Sequence, residues 1–115
     1  MERVLRAVEL VPRGRVVTYG DLAELVGVGP RLVGRIMGTW GSGVPWWRVV
    51  NASGDLPEFH LRRAHEEWVR EGIEIKPSGK GCRIRHHRAD LADLADRWDV
   101  ATADLPPAPP VPGPH

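Results

Sequence analysis

The chain has 115 residues, 42% of them apolar and 27% charged, which allows one hydrophobic core and leaves no room for a second domain. No apolar run approaches the roughly 20 residues of a membrane span, and Met1-Glu2-Arg3-Val4-Leu5-Arg6 lacks the layout of a secretion signal, so a cytoplasmic protein without a membrane partner is expected. The 16 basic and 15 acidic side chains leave a net charge of +1, so bulk charge does not announce a nucleic-acid partner, and the single Cys82 excludes an internal disulfide and a multi-cysteine zinc site.

Val4, Leu5, Val8 and Val11 recur at helical spacing, and Pro12-Arg13-Gly14 closes that helix. Arg15-Val16-Val17 reads as a short extended piece. Thr18 is then placed to cap a second helix, with Asp21 three residues on at the positive end of its dipole. Leu22, Ala23, Leu25 and Val26 form its apolar set. Gly27-Val28-Gly29 is a tight turn, and Pro30 suits the first position of a third helix because its missing N–H would have had no partner there. That helix carries Leu32, Val33, Ile36 and Met37 on one side and Arg31 and Arg35 elsewhere. Two short helices around such a turn are the helix-turn-helix pattern.

Thr39–Gly43 reads as a loop, and of Val44–Val50 only the end looks like strand. Asn51-Ala52-Ser53-Gly54-Asp55 has turn chemistry. A helix is expected around Leu61–Glu71, closed by Gly72. Glu74-Ile75 and Arg83-Ile84 flank Pro77–Gly81 as a hairpin, the expected wing. A last helix runs roughly from Ala89 to Trp98, with Leu91, Leu94 and Trp98 on one face. The domain is therefore expected over 1–103, followed by a proline-dense tail over 104–115 that can continue neither helix nor sheet.

The segment that stands out is Pro45-Trp46-Trp47-Arg48. The chain holds five tryptophans against one Tyr and one Phe, and two of them are adjacent here. In a strand, neighbours point to opposite faces, so at least one indole would be left to line a groove. In a loop, both could turn inward and simply pack. An indole face stacks well on a nucleobase, at about 1–3 kcal/mol per base.

In this setting the chain resembles, over roughly Val4–Ile75, the DNA-binding domain of O6-alkylguanine-DNA alkyltransferases. Val17-Thr18-Tyr19-Gly20-Asp21-Leu22-Ala23 is similar to the start of that family's helix-turn-helix, and Arg31-Leu32-Val33-Gly34-Arg35-Ile36-Met37 to its recognition helix. Pro45-Trp46-Trp47-Arg48-Val49-Val50 sits where the transferases carry Pro-Cys-His-Arg-Val, and Ser53-Gly54 and Glu71-Gly72 also fall in place. Trp46 thus stands where the alkyl-accepting cysteine would be. A thiolate attacks the O6-alkyl carbon, and an indole cannot replace it as nucleophile. That replacement marks the alkyltransferase-like proteins. The resemblance implies a non-catalytic sensor, without cofactor, that holds an extruded O6-alkylguanine and signals to nucleotide excision repair.

The chain departs from the family in three places. Trp47 stands where histidine is expected, and that histidine acts with a glutamate matching Glu71 to ionise the cysteine. The segment between Arg31 and Pro45 is shorter than in the transferases, and the helix-end asparagine has no clear counterpart. The N-terminal domain found on many transferases is also missing from this sequence.

The resemblance assigns roles residue by residue. Tyr19 matches the tyrosine that crowds the phosphate beside the target and helps rotate the nucleotide; its bland alternative is a buried aromatic at a helix start. Arg31 matches the arginine that fills the emptied stack, though an arginine early on a recognition helix also serves as a phosphate contact. Gly34 fits a close approach of the helix to DNA, or ordinary helix packing. Arg48 would hold the loop or the pocket wall. Phe59 falls where the family has a tyrosine beside the base; its ring can pack on the base but cannot donate to O6. Arg35, Arg62 and Arg63 are phosphate candidates, with a solvated helix face the equal alternative for Arg62 and Arg63, and His86-His87 lack further ligands at metal spacing.

The expected molecule is a monomeric α+β winged helix-turn-helix that binds duplex DNA in the minor groove. It would flip a lesion against Pro45-Trp46-Trp47-Arg48, with Tyr19, Arg31, Gly34, Arg35, Ser53 and Phe59 around it. Flipping costs a few kcal/mol, less where an O6-alkyl group has already weakened the pair. Three alternatives stay open on sequence: a winged-helix regulator with no lesion specificity, an enzyme using Cys82 as a displaced acceptor, and a degenerate relative whose Trp47 blocks the pocket.

Overall fold

The periodic valines of the first segment fold into α1 (Glu2–Leu10), with Val4, Ala7 and Val8 buried. The computed structural model describes residues 2–103, so the proline-rich stretch expected over 104–115 lies outside the described residues. A two-residue strand β1 (Val17–Thr18) follows and leads directly into α2 (Tyr19–Val26). Thr18 caps that helix as anticipated: its side chain accepts from the Asp21 N–H, and the Asp21 carboxylate accepts from the Thr18 N–H, both at 3.0 Å. Gly27 ends α2 in the left-handed conformation at φ +84°. Pro30 opens α3 (Pro30–Trp40) in its first turn.

This helix is longer than the sequence suggested. Thr39 and Trp40 belong to it, and Gly41–Gly43 make a tight 3-10 turn rather than an open loop. Trp46–Arg48 is also 3-10, so of the two readings left open for the indoles the non-extended one holds. The opposite-faces argument for the two indoles therefore does not apply: both pack on one side, against the same cluster. Only Val49–Val50 is strand, β2, pairing in parallel with β1 so that Val17 lies beside Val49 and Thr18 beside Val50.

That small sheet divides the core. Val17 and Val49 face a cluster built from α1, α2, α3 and the last helix, including Leu22, Val33, Leu94 and Trp98. Val16 and Val50 face a second cluster with Leu56, Ala64, Trp68, Ile73 and Cys82. The alternation of side chains along an extended chain produces this split.

Helix α4 (Glu58–Glu71) begins three residues before the expected start and is closed by Gly72 at φ +74°. The extra turn carries Phe59 and His60. The wing is smaller than a regular hairpin, an antiparallel bridge between Ile75 and Cys82 beside another between Asp55 and Gly81. It is pinned by close approach: a side chain at Gly81 would collide with Asp55 and the Gly54 backbone. Ile84 is not a wing strand residue, because it starts the short α5 (Ile84–His87). Asp90 caps α6 (Leu91–Ala101), accepting from the Ala92 and Asp93 N–H groups, and the helix buries Leu94 and Trp98.

Candidate nucleic-acid interface

Helix α3 has two faces. Val33 and Ile36 point into the core, while Arg31, Gly34, Arg35 and Gly38 lie exposed on the other side. A β-carbon added at Gly34 or Gly38 would meet nothing within 4 Å. Internal packing therefore does not demand glycine at either position. The open strip instead lets a bulky object lie directly on the helix backbone.

Beside this strip opens a cavity of about 600 Å³. Tyr19, at the first position of α2, forms one wall with Gly34, Met37 and Gly38 of α3. Trp46, Leu56, Phe59 and His60 form the other, with Arg63 at its edge. Tyr19 is half-buried against the core, and burial raises its hydroxyl pKa above the ordinary value of 10.0, so it stays a neutral phenol. Across the cavity, three rings form a ladder. The Trp46 indole lies 5.0 Å from the His60 ring, which lies 4.2 Å from Phe59. Phe59 is 81% exposed, an unusual cost for a phenyl ring that no interior contact explains.

Of the residues singled out from sequence, the structure brings Tyr19, Gly34, Trp46 and Phe59 together at this cavity. Arg31 and Arg35 stand on the exposed face of α3 outside it. Pro45, Trp47 and Arg48 do not line the cavity but a neighbouring cleft that shares Ser42, Trp46 and Arg63 with it. Ser53 lies on the far turn, where its carbonyl accepts from Lys76 Nζ at 2.7 Å, and does not line the cavity. Sequence reasoning missed Met37, His60 and Leu56. His60 escapes sequence reasoning because α4 starts at Glu58, before the Leu61 that the apolar pattern indicates.

Behind the indole of Trp46 a polar clamp fixes the loop. Trp47 Nε1 donates to Glu71 Oε2 at 2.6 Å. Arg48 donates to both Glu71 oxygens from Nε and Nη2 and to the Val11 carbonyl from Nη1. The Gly14 N–H adds a further bond to Glu71 Oε1 at 2.9 Å. Trp68 Nε1 donates to the Trp47 carbonyl at 2.8 Å. Burial on its own would raise the Glu71 pKa, but the bonds from Arg48, Gly14 and Trp47 outweigh it and hold the carboxyl below its ordinary value. The two tryptophans meet edge to face at 5.7 Å, a favoured arrangement for aromatic pairs. Trp47 therefore supports the cavity wall without entering the cavity.

Cys82 lies in the second core cluster, fully buried, and burial pushes its thiol up to about 11. It does not line the cavity. At neutral pH it is a protonated core residue, the reverse of an activated nucleophile. His86 and His87 both face the single carboxylate oxygen Glu74 Oε2, at 2.8 and 3.0 Å.

Comparison with known proteins points the same way. Residues 1–74 match the family described as 6-O-methylguanine DNA methyltransferase, DNA binding domain. A DNA base-flipping protein of Vibrio parahaemolyticus is 34% identical over 84 residues, covering 68% of this chain and 84% of that one. The DNA base-flipping protein of Escherichia coli is 37% identical over 86 residues, covering 69% of this chain and 66% of its own length. A crystal structure of Schizosaccharomyces pombe Atl1 in complex with damaged DNA containing O6-carboxymethylguanine superposes with a TM-score of 0.67 at 29% identity, covering 77% of this chain and 93% of that one.

Proposed function

The chain belongs to the family of the 6-O-methylguanine DNA methyltransferase DNA-binding domain, in its alkyltransferase-like branch, and we propose that it binds duplex DNA, flips an O6-alkylguanine into the cavity between α3 and α4, and leaves the alkyl group in place. The observation that carries this reading is the cavity itself. It opens beside the exposed, glycine-containing face of α3, and it is walled by Tyr19, Trp46 and Phe59.

Each part has a physical task. Arg31 and Arg35 on the exposed helix face supply charge for DNA and, at Arg31, a side chain long enough to fill the space a flipped base vacates. Tyr19 crowds the backbone at the cavity mouth. Trp46 covers the base and its alkyl group with apolar surface, which rewards a lesion over guanine because the extra carbon leaves water. The lesion also costs less to extrude.

Transfer does not follow, since Trp46 occupies the position of the accepting cysteine and Cys82, the chain's one thiol, is sequestered. The Glu71 clamp, whose counterpart in the transferases serves proton chemistry, here holds a wall. By resemblance, the bound complex is the mark that nucleotide excision repair reads, and the working form is a monomer in the cytoplasm.

The reading is tested by mixing the protein with a duplex carrying one O6-methylguanine and weighing both molecules by mass spectrometry. A stable complex with both masses unchanged is expected. A protein heavier by one methyl group, with guanine restored in the DNA, would overturn it.

A further inference from the structure

The segment after residue 74 lies beyond the part that matches the family, and its charge is unlike the rest of the chain. Between Ile75 and Ala89 stand Lys76, Lys80, Arg83, Arg85 and Arg88, with no carboxylate among them. Helix α6 follows with Asp90, Asp93, Asp96 and Asp99 against Arg97 alone. A net charge near zero therefore conceals one strongly basic surface and one acidic helix. Lys76 pairs with Asp55, and Arg88 forks onto Asp21. Lys80, Arg83 and Arg85 are different: they are exposed, and among the described residues no carboxylate pairs with them.

The position of these cations matters more than their number. Arg85 and Arg88 line a cleft with Thr18 and Ala52. Thr18 caps α2, and the next residue, Tyr19, forms the wall of the lesion cavity. The basic cleft and the cavity are thus lined by consecutive residues, Thr18 and Tyr19. Arg85 also lines a second hollow with Ser53, Arg83 and His86, so free cations extend from Thr18 along α5, with the Glu74 carboxylate held against His86 and His87 the one acidic group facing that helix among the described residues. Arg15, which donates to the His86 carbonyl, adds another exposed guanidinium beside α5.

We propose that this face is a second phosphate-binding track, in which Arg85 and Arg83 take the phosphodiester backbone of the same DNA strand as it passes Tyr19. The inference rests on the DNA-binding reading above and extends it from the flipped nucleotide to the flanking duplex. Contacts of this kind carry no sequence or lesion information. They supply affinity and fix the direction in which the protein sits on the duplex.

The test uses the full chain, the double variant Arg83→Gln/Arg85→Gln, and two duplexes differing only in guanine or O6-methylguanine at one site, titrated over a range of salt. Both side chains are exposed and unpaired, so a thermal melt should match the wild type. The track predicts that affinity falls by the same factor for both duplexes, leaving the lesion-to-guanine ratio unchanged. The slope of log affinity against log salt should shrink by about 1 to 2, since each phosphate contact contributes roughly 0.9. Shortening the duplex from one end, and not the other, should then bring wild type and variant together.

Unchanged affinity and slope would overturn the track and leave the basic face for an acidic partner. A loss confined to the lesion duplex would also overturn it, placing these arginines in recognition. If the wild type itself shows no lesion preference, the sensor reading fails, while the salt slope still decides the track.

Discussion

Trp47 Nε1 donates to Glu71 Oε2 at 2.6 Å, so the indole next to Trp46 is tied by its N–H to a carboxylate at the end of α4. The same carboxylate receives Arg48 and the Gly14 N–H, and its side chain is only 4% exposed. An indole N–H cannot be titrated or act as a base. Trp47 therefore gives the clamp geometry and no proton chemistry. Trp46 rests edge to face on Trp47, which makes this clamp the support of the cavity wall.

Trp47→Phe keeps most of the ring and deletes the donor. A hydrogen bond to a charged group contributes about 1.5–3 kcal/mol. The lower end is expected here, because Arg48 and Gly14 still satisfy Glu71. Denaturant titration should show a lower midpoint, and a midpoint within error of wild type would mean the bond is idle.

The same carboxylate sets a pH dependence. Glu71 titrates below its ordinary 4.5 in the folded protein, because the bonds it accepts outweigh its burial. The unfolded chain therefore takes up this proton first on acidification. The stabilisation is complete above about pH 4.5 and is lost as pH falls through the lower folded value. Asp21, held below its ordinary 3.8 against its burial by Arg88 and Thr18, adds to the loss further down. Glu71→Gln should be less stable than wild type at pH 7, yet lose less on going from pH 5 to pH 3. Parallel melting curves for the two across that range would refute the assignment.

Gly34 separates packing from contact. With nothing within 4 Å of an added β-carbon, Gly34→Ala should stabilise α3 by about 0.8–1 kcal/mol through helix propensity. If DNA lies on this face, the same methyl group must weaken binding. Higher melting temperature with lower DNA affinity is the predicted pair; higher stability with unchanged affinity would remove α3 from the interface.

Placing a thiol at position 46 is informative in two steps. Trp46→Cys places a thiol in the cavity with Trp47 where a base should be, so its thiolate fraction stays low and transfer should be slow at neutral pH. Adding Trp47→His beside Glu71 should accelerate it, as read by methyl transfer to the protein. Equal rates in the single and double variants would show that Glu71 cannot support that chemistry in this scaffold.

Much of this was legible in the residues. Thr18 and Asp21 announce the capping box, Pro30 the start of α3, and the valine spacing the first core cluster, because each is set by local chemistry. The Trp46–Arg48 turn was not legible, since its 3-10 shape depends on Glu71 and Trp68, more than 20 residues downstream. The start of α4 was placed late because no capping side chain marks it: Pro57 caps it without a side-chain bond. His60, and with it the ring ladder, was lost for that reason. The separation of basic and acidic surfaces was present in the sequence but cancelled in the net charge.

The most direct measurement is a fluorescence titration at fixed salt with two duplexes that differ only by guanine or O6-methylguanine at one position. Lesion recognition predicts tighter binding to the alkylated duplex, and a preference that disappears in Tyr19→Ala and Arg31→Ala. In Trp46→Ala, about 1–3 kcal/mol of lesion affinity should be lost with the stacking surface. Equal affinity for both duplexes in the wild type would contradict it, leaving a DNA-binding domain that does not read the lesion.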